Sequence, residues 1–106
     1  MKRLETTILK NLIFNEDYAR KILPFIKSEY FTDNTEKILF EEVEEYINHY
    51  KHLPTYESLV INFAESKKLT EQQVQDSVEM LREINAERNE PSDVAWLIDN
   101  TEKFCQ

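Results

Sequence analysis

The chain contains no glycine in 106 residues. A phosphate-binding P-loop and a dinucleotide fingerprint both need glycine, where backbone must approach phosphate closely, so neither exists here. If the chain belongs to a nucleotide-driven machine, the motor lies elsewhere. Cysteine is almost absent too: Cys105 alone excludes an internal disulfide and a multi-cysteine metal site. That usage suits a reducing cytosol. No apolar run approaches the roughly 20 residues needed to span a bilayer. The start, Met1-Lys2-Arg3-Leu4-Glu5, turns amphipathic at once and lacks a signal-peptide core. Positive charge is scarce. Residues 1–64 hold eight Lys or Arg against 11 acidic residues, the remainder five against ten, and the net charge is −8. Arg20, Lys21 and Lys27 are the nearest thing to a basic face. That is too thin to grip nucleic acid by its phosphates. An acidic surface suits solubility or a basic protein partner.

The residues present read as a globular domain: 41% are hydrophobic and 32% charged. At this length one modest core is expected, with about 60–70% of the unfolded surface buried. Leu4 to Phe14 reads as a helix with Leu4, Ile8, Leu9, Leu12 and Ile13 inward. Asn15 stops it and caps a second helix, whose first turn holds Glu16 and Asp17. That helix carries Tyr18 and Ile22, with Phe25 and Ile26 as further inward candidates. Pro24 disfavours helical geometry at Leu23, so this helix is short or kinked. An aromatic turn, Ser28-Glu29-Tyr30-Phe31, then feeds a long amphipathic run to about Lys51, capped by Asp33 or Asn34. Leu39, Val43, Tyr46 and Tyr50 share one face of it; Glu41, Glu42, Glu44 and Glu45 form the other. Thr55 caps a helix to about Glu65 without a full reciprocal box, and its inner face is Tyr56, Leu59, Val60 and Phe63. Thr70-Glu71-Gln72-Gln73 has capping-box spacing. The stripe that follows, Val74, Val78, Leu81 and Ile84, suits one partner helix better than a broad core. Pro91-Ser92-Asp93 opens a last helix with Val94, Leu97, Ile98, Thr101 and Phe104 inward. Aromatics are dense before Ser66 and sparse after it. The expectation is all-α: a compact head of about four helices over residues 1–66, then a protruding antiparallel hairpin over residues 70–106.

Catalytic chemistry finds little support. Glu41, Glu42, Glu44, Glu45, His49 and His52 could be read as a metal cluster, but di-iron bundles use Glu-x-x-His twice. Asn48 stands three residues after Glu45, and no second copy exists, so a solvated acidic face is the better reading. Cys105 reads as a frayed terminal thiol with no base beside it. Tyr30 and Phe31 could stack bases, but without a basic groove they read as core. Trp96 stands apart. Stepping of 100° per residue puts it opposite the packed face, beside Asp99, Asn100 and Lys103. There it either anchors a protein interface or folds over the edge of the head. The candidate interface residues are Val74, Val78, Leu81, Trp96, Lys103 and Phe104. No catalytic, cofactor-binding or metal-ligating residue is assigned.

An ordered series carries a family resemblance: Ile8-Leu9-x-x-Leu12-Ile13-Phe14, Pro24-Phe25, Ser28-Glu29-Tyr30-Phe31, a helix ending in Tyr50, and Leu53-Pro54-Thr55. Trp96-Leu97-Ile98 and Thr101-Glu102-Lys103-Phe104 complete it. The series resembles the N-terminal domain of DnaB-type replicative helicases, in the form found in T-even-type phages. It covers almost the whole chain, although no single motif in it is specific. The resemblance implies a helical collar that joins subunits as a trimer of dimers on a six-membered ring and recruits primase and a helicase loader. It implies a separate RecA-like motor, using ATP and Mg, that this chain lacks. The natural protein is then expected to continue past Gln106, and the chain itself to be no enzyme and to hold no cofactor. Neither direct nucleic-acid binding nor membrane contact is expected of it, and its place is the cytoplasm, the host's if phage-encoded. Two rivals stand beside this reading. One is a free-standing acidic helical adaptor or inhibitor of a basic protein; the other, weaker, is a small metalloenzyme built on the glutamates and histidines.

Overall fold

The structure, a computed structural model, describes residues 3–106. The reading of the chain start rests partly on Met1 and Lys2, which lie outside the described residues. Six α-helices follow in order among the described residues: α1 (Leu4–Phe14), α2 (Glu16–Ile22), α3 (Asn34–Tyr50), α4 (Tyr56–Ala64), α5 (Glu71–Ala86) and α6 (Val94–Phe104). A single 3-10 turn, Ser28–Tyr30, separates α2 from α3, and no described residue lies in a strand.

Local chemistry starts the helices. Asn15, Asp33, Thr55, Thr70 and Asp93 each accept a hydrogen bond from a backbone N–H in the first turn of the helix that follows. The box at Thr70 is reciprocal: Gln73 N donates to Thr70 Oγ1 at 3.1 Å, and Thr70 N donates to Gln73 Oε1 at 2.9 Å. Thr55 corrects the sequence reading, because its box is reciprocal as well. Ser58 Oγ accepts from Thr55 N at 3.0 Å and does the work that Glu or Gln usually does. Helix α2 ends at Ile22, as Pro24 requires, but Leu23 keeps helical geometry (φ −55°, ψ −37°). The N–H missing from Pro24, rather than the backbone of Leu23, therefore ends the ladder.

Packing centres on α1, which lies against α2, α3 and α5. Ile8, Leu9 and Leu12 are fully buried and meet Leu39, Phe40 and Val43 of α3 in one core with Leu59, Phe63, Leu81 and Leu97. Phe31 closes it. The ring lies 5.3 Å from Phe40 and 5.2 Å from Phe104, the second pair edge-on, so one side chain joins the turn, α3 and α6. Tyr30 beside it is only half-buried.

The last two helices sit differently from the protruding hairpin expected. Helix α5 packs on α1, α3 and α4, and α6 packs on α2. The radius of gyration, 12.9 Å, is that of a compact globule of this length, about 13 Å. The inward stripe of α5 is broader than one seam, because Ser77 is buried beside Leu81 and Ile84. Polar pins hold the connection down. Lys10 Nζ donates to Glu90 O at 3.1 Å, and Asn11 Nδ2 donates to Ser92 Oγ at 3.1 Å, both from buried positions on α1. Three residues expected inside lie outside: Phe25, Tyr50 and Val94 are exposed.

Candidate interaction surface

Helix α6 is built to show one face. Asp93 Oδ1 accepts from Trp96 N at 3.2 Å and fixes where the helix starts. Leu97 and Thr101 then point at α2 and are fully buried. Thr101 Oγ1 donates to Leu97 O and shares a hydrogen bond with Tyr18 Oη, each at 2.7 Å. Burial pushes the Tyr18 phenol up to about 12, against the opposing hydrogen bond from Thr101. With that side of α6 fixed, Trp96 is left 53% exposed and Val94 41% exposed, with Ala95, Asp99 and Lys103 also open to solvent. The Asn100 amide donates to Trp96 O at 2.9 Å and steadies the turn beneath the indole. A large ring beside a carboxylate and an ammonium, on a helix held by a buried hydrogen bond, is a surface on which a protein partner can gain energy.

The six candidate interface residues do not form one surface. Leu81 is fully buried in the core, so no partner can reach it; this corrects its place among the candidate interface residues. Val74 and Val78 are half-buried against the core, and Phe104 is half-buried against Phe31. Trp96 and Lys103 are exposed and share α6.

The acidic row of α3 faces outward. Asn62 Nδ2 donates to Glu42 Oε2 at 3.3 Å, and Lys68 lies 3.7 Å from Glu45. Partial burial raises the Glu42 and Glu44 carboxyls above their ordinary range, and neighbouring acids add to it. Both imidazoles lie against tyrosine rings: His49 meets Tyr50 edge-on at 4.5 Å, and His52 lies 5.7 Å from Tyr46, with its Nδ1 3.0 Å from Leu53 O. Among the described residues no three His, Cys, Asp or Glu side chains converge as metal ligands. Burial pushes the Cys105 thiol up, away from the thiolate a nucleophile needs. No described helix is long and apolar enough to cross a membrane.

The fold and this surface define an all-α domain with an aromatic-centred helix face open to solvent. No family model matches the chain. It is similar to the DnaB-like replicative helicase of Enterobacteria phage T4, with 29% identity over 99 residues. The match takes in 93% of this chain and 20% of that helicase, so the chain spans about a fifth of its relative's length.

Proposed function

We propose that this chain is the N-terminal, non-motor domain of a phage-type replicative DNA helicase, serving to join subunits and to recruit primase or a loader. The carrying observation is a match that spans nearly all of this chain and only a fifth of a replicative helicase. A domain with no glycine cannot hold the P-loop, so a motor would occupy other sequence. The working surface in this reading is the outer face of α6, with Trp96 as anchor and Asp99 and Lys103 as polar rim. The domain does no bond chemistry; its free energy goes into association.

Sedimentation velocity over a range of concentrations tests this. The chain forms a dimer or larger species, and Trp96→Ala weakens that association by about tenfold or more, the effect of losing a hot-spot aromatic. Helix content by circular dichroism stays as in the parent, since Trp96 is half in solvent. Self-association untouched by Trp96→Ala would remove α6 from the proposal. The net charge of −8 favours the acidic adaptor as a second reading. A P-loop encoded downstream in the same reading frame supports the helicase, and a stop codon after Gln106 supports the adaptor.

A further inference from the structure

A second surface lies away from α6, where the last turns of α3 meet the end of α4. Residues four apart on a helix are neighbours, and Tyr46 and Tyr50 lie with their ring centroids 4.6 Å apart. Lys51 then takes the left-handed conformation, φ 65°, and ends the helix. The reversal brings His52 back onto the pair, 5.7 Å from Tyr46 and 6.0 Å from Tyr50. His49, edge-on to Tyr50, is the fourth ring. Tyr50 is 53% exposed and both imidazoles are open to solvent, so a contiguous aromatic patch faces water. A patch of that kind marks a binding surface.

The charges beside the rings indicate what covers them. A hollow of about 540 Å³ is lined by Tyr46, His49 and Tyr50 together with Glu42, Glu45 and Glu65. Steps of 100° along α3 put Glu42, Glu45 and these three rings within about 140° of one another, on one face of the helix. Glu42 is partly desolvated, and Glu45 crowds it. Glu65 makes no side-chain hydrogen bond or ion pair among the described residues. The cations of the hollow are Lys67 and Lys68. Lys68 lies 3.7 Å from Glu45, and both side chains stand mostly in water, so a better-placed cation displaces it easily. The row of acids runs on through Glu41 and Glu44 into an adjoining hollow, where Lys68 is again the one cation. Lys51 lines a groove on the opposite side of α3. The lining is therefore acidic in excess, like the chain as a whole.

From the open rings and the carboxylates that share their face, we infer that this hollow docks a basic segment of another protein, with an arginine side chain as its anchor. A guanidinium is planar and weakly hydrated; it stacks on the Tyr50 ring while its N–H groups reach the carboxylates of Glu42 and Glu65. The same field that draws a basic segment opposes a second copy of this acidic chain. The inference stands apart from the α6 reading, since it uses no residue of that helix.

The test uses the whole chain, labelled with nitrogen-15, titrated at 150 mM salt with the peptide acetyl-Ala-Arg-Ala-Arg-Ala-Arg-amide. Amide shifts at Tyr46, His49, Tyr50 and Glu65 are expected to saturate with a Kd below about 1 mM. Tyr50→Ala leaves every charge in place and weakens binding by about two- to fivefold, the worth of one exposed cation–ring contact. Glu65→Gln, at an exposed position, weakens it by up to about fivefold. Trp96→Ala binds the peptide as the parent does. Several results overturn the proposal. They are shifts that map elsewhere, no shift at several times that concentration, and binding unchanged by Tyr50→Ala, which would mean attraction by net charge alone. Spermidine matching the peptide in sites and affinity overturns it as well, because a free polyamine would then suffice. So do the same amides moving with protein concentration alone, which would assign the hollow to a second copy.

Discussion

Replacing Arg3 by methionine probes the one buried carboxylate among the described residues. Glu36 is a first-turn residue of α3, yet its side chain is only 1% exposed. Arg3, at the start of α1, lies 3.2 Å from it and 2.9 Å from Glu5, and is itself 51% exposed. A fully buried pair that loses one partner costs about 3–5 kcal/mol, and an exposed pair about 0–1. With one end in water the cost belongs between them, at about 1–2 kcal/mol near pH 7. For a chain of this size that lowers the thermal midpoint by about 4–10 °C. Methionine keeps the apolar stem of Arg3, so lost packing is a small part of it. The pH dependence carries the sharper test. Burial, first, then Glu5 and Asp33, raise Glu36 above its ordinary 4.5, and Arg3 opposes them. A raised carboxyl means that the folded state holds the proton more tightly than the unfolded state. Its contribution to stability is therefore fully present below 4.5 and is lost as pH rises through the folded-state value. Removing Arg3 moves that value higher still. The penalty of Arg3→Met is thus largest at neutral pH and shrinks as pH falls through the folded-state value and Glu36 takes up its proton. Thermal unfolding followed by circular dichroism across that range, for both proteins, measures it. Comparing the two cancels the general effect of titrating an acidic chain. In a Glu36→Gln background the same substitution costs less than about 0.5 kcal/mol. An equal penalty at both ends of the pH range, or an undiminished one beside glutamine, would refute the electrostatic account.

Two further substitutions test the core and its polar seam. Phe31→Ala removes a fully buried ring that touches both Phe40 and Phe104, and is expected to cost about 3–5 kcal/mol in urea denaturation; a loss below about 1 kcal/mol means that the ring is not the closure of the core. Tyr18→Phe removes the hydroxyl bonded to Thr101, which still has Leu97 O, so the expected cost is about 1 kcal/mol. Because Tyr18 is raised from 10.0 to about 12, its stabilising contribution is present below pH 10.0 and is lost as pH rises toward 12. Ultraviolet titration should show one late tyrosine that is missing from Tyr18→Phe.

The sequence disclosed what is local. The all-α class was legible, and so were the start residues of five helices, because a cap acts within three residues of itself. The misses follow from where stepping at 100° per residue stops applying. Phe25 lies beyond the break at Pro24, Val94 is the first residue of α6, and Tyr50 is the last of α3. At such ends a side chain on the inward azimuth can overhang its neighbour and meet water. The buried polar residues were harder still. Lys10 and Asn11 stand on the inward half of α1, and the groups they bond lie 80 and 81 positions away. No periodicity marks a partner at that distance; only the folded chain supplies it. Trp96 was picked out because it is large and sits among polar neighbours in an unbroken helix. Phe25 had no such marker, because a helical register that ends at Ile22, three residues earlier, says nothing about it.

Those buried polar residues also explain why the last helices are part of the globule. A hairpin held only by its own seam can stand away from the head. Here Lys10 and Asn11 grip Glu90 and Ser92, just before the Asp93 cap. The cap sets the first turn of α6, and the Tyr18–Thr101 hydrogen bond sets its rotation two turns later. With both ends of that segment fixed, Leu97 must face α2 and Trp96 must face solvent. The exposed indole is therefore a consequence of polar contacts on the opposite side of the helix. A substitution at Lys10 or Asn11 would act on the α6 surface from the buried side, with no direct contact to any partner.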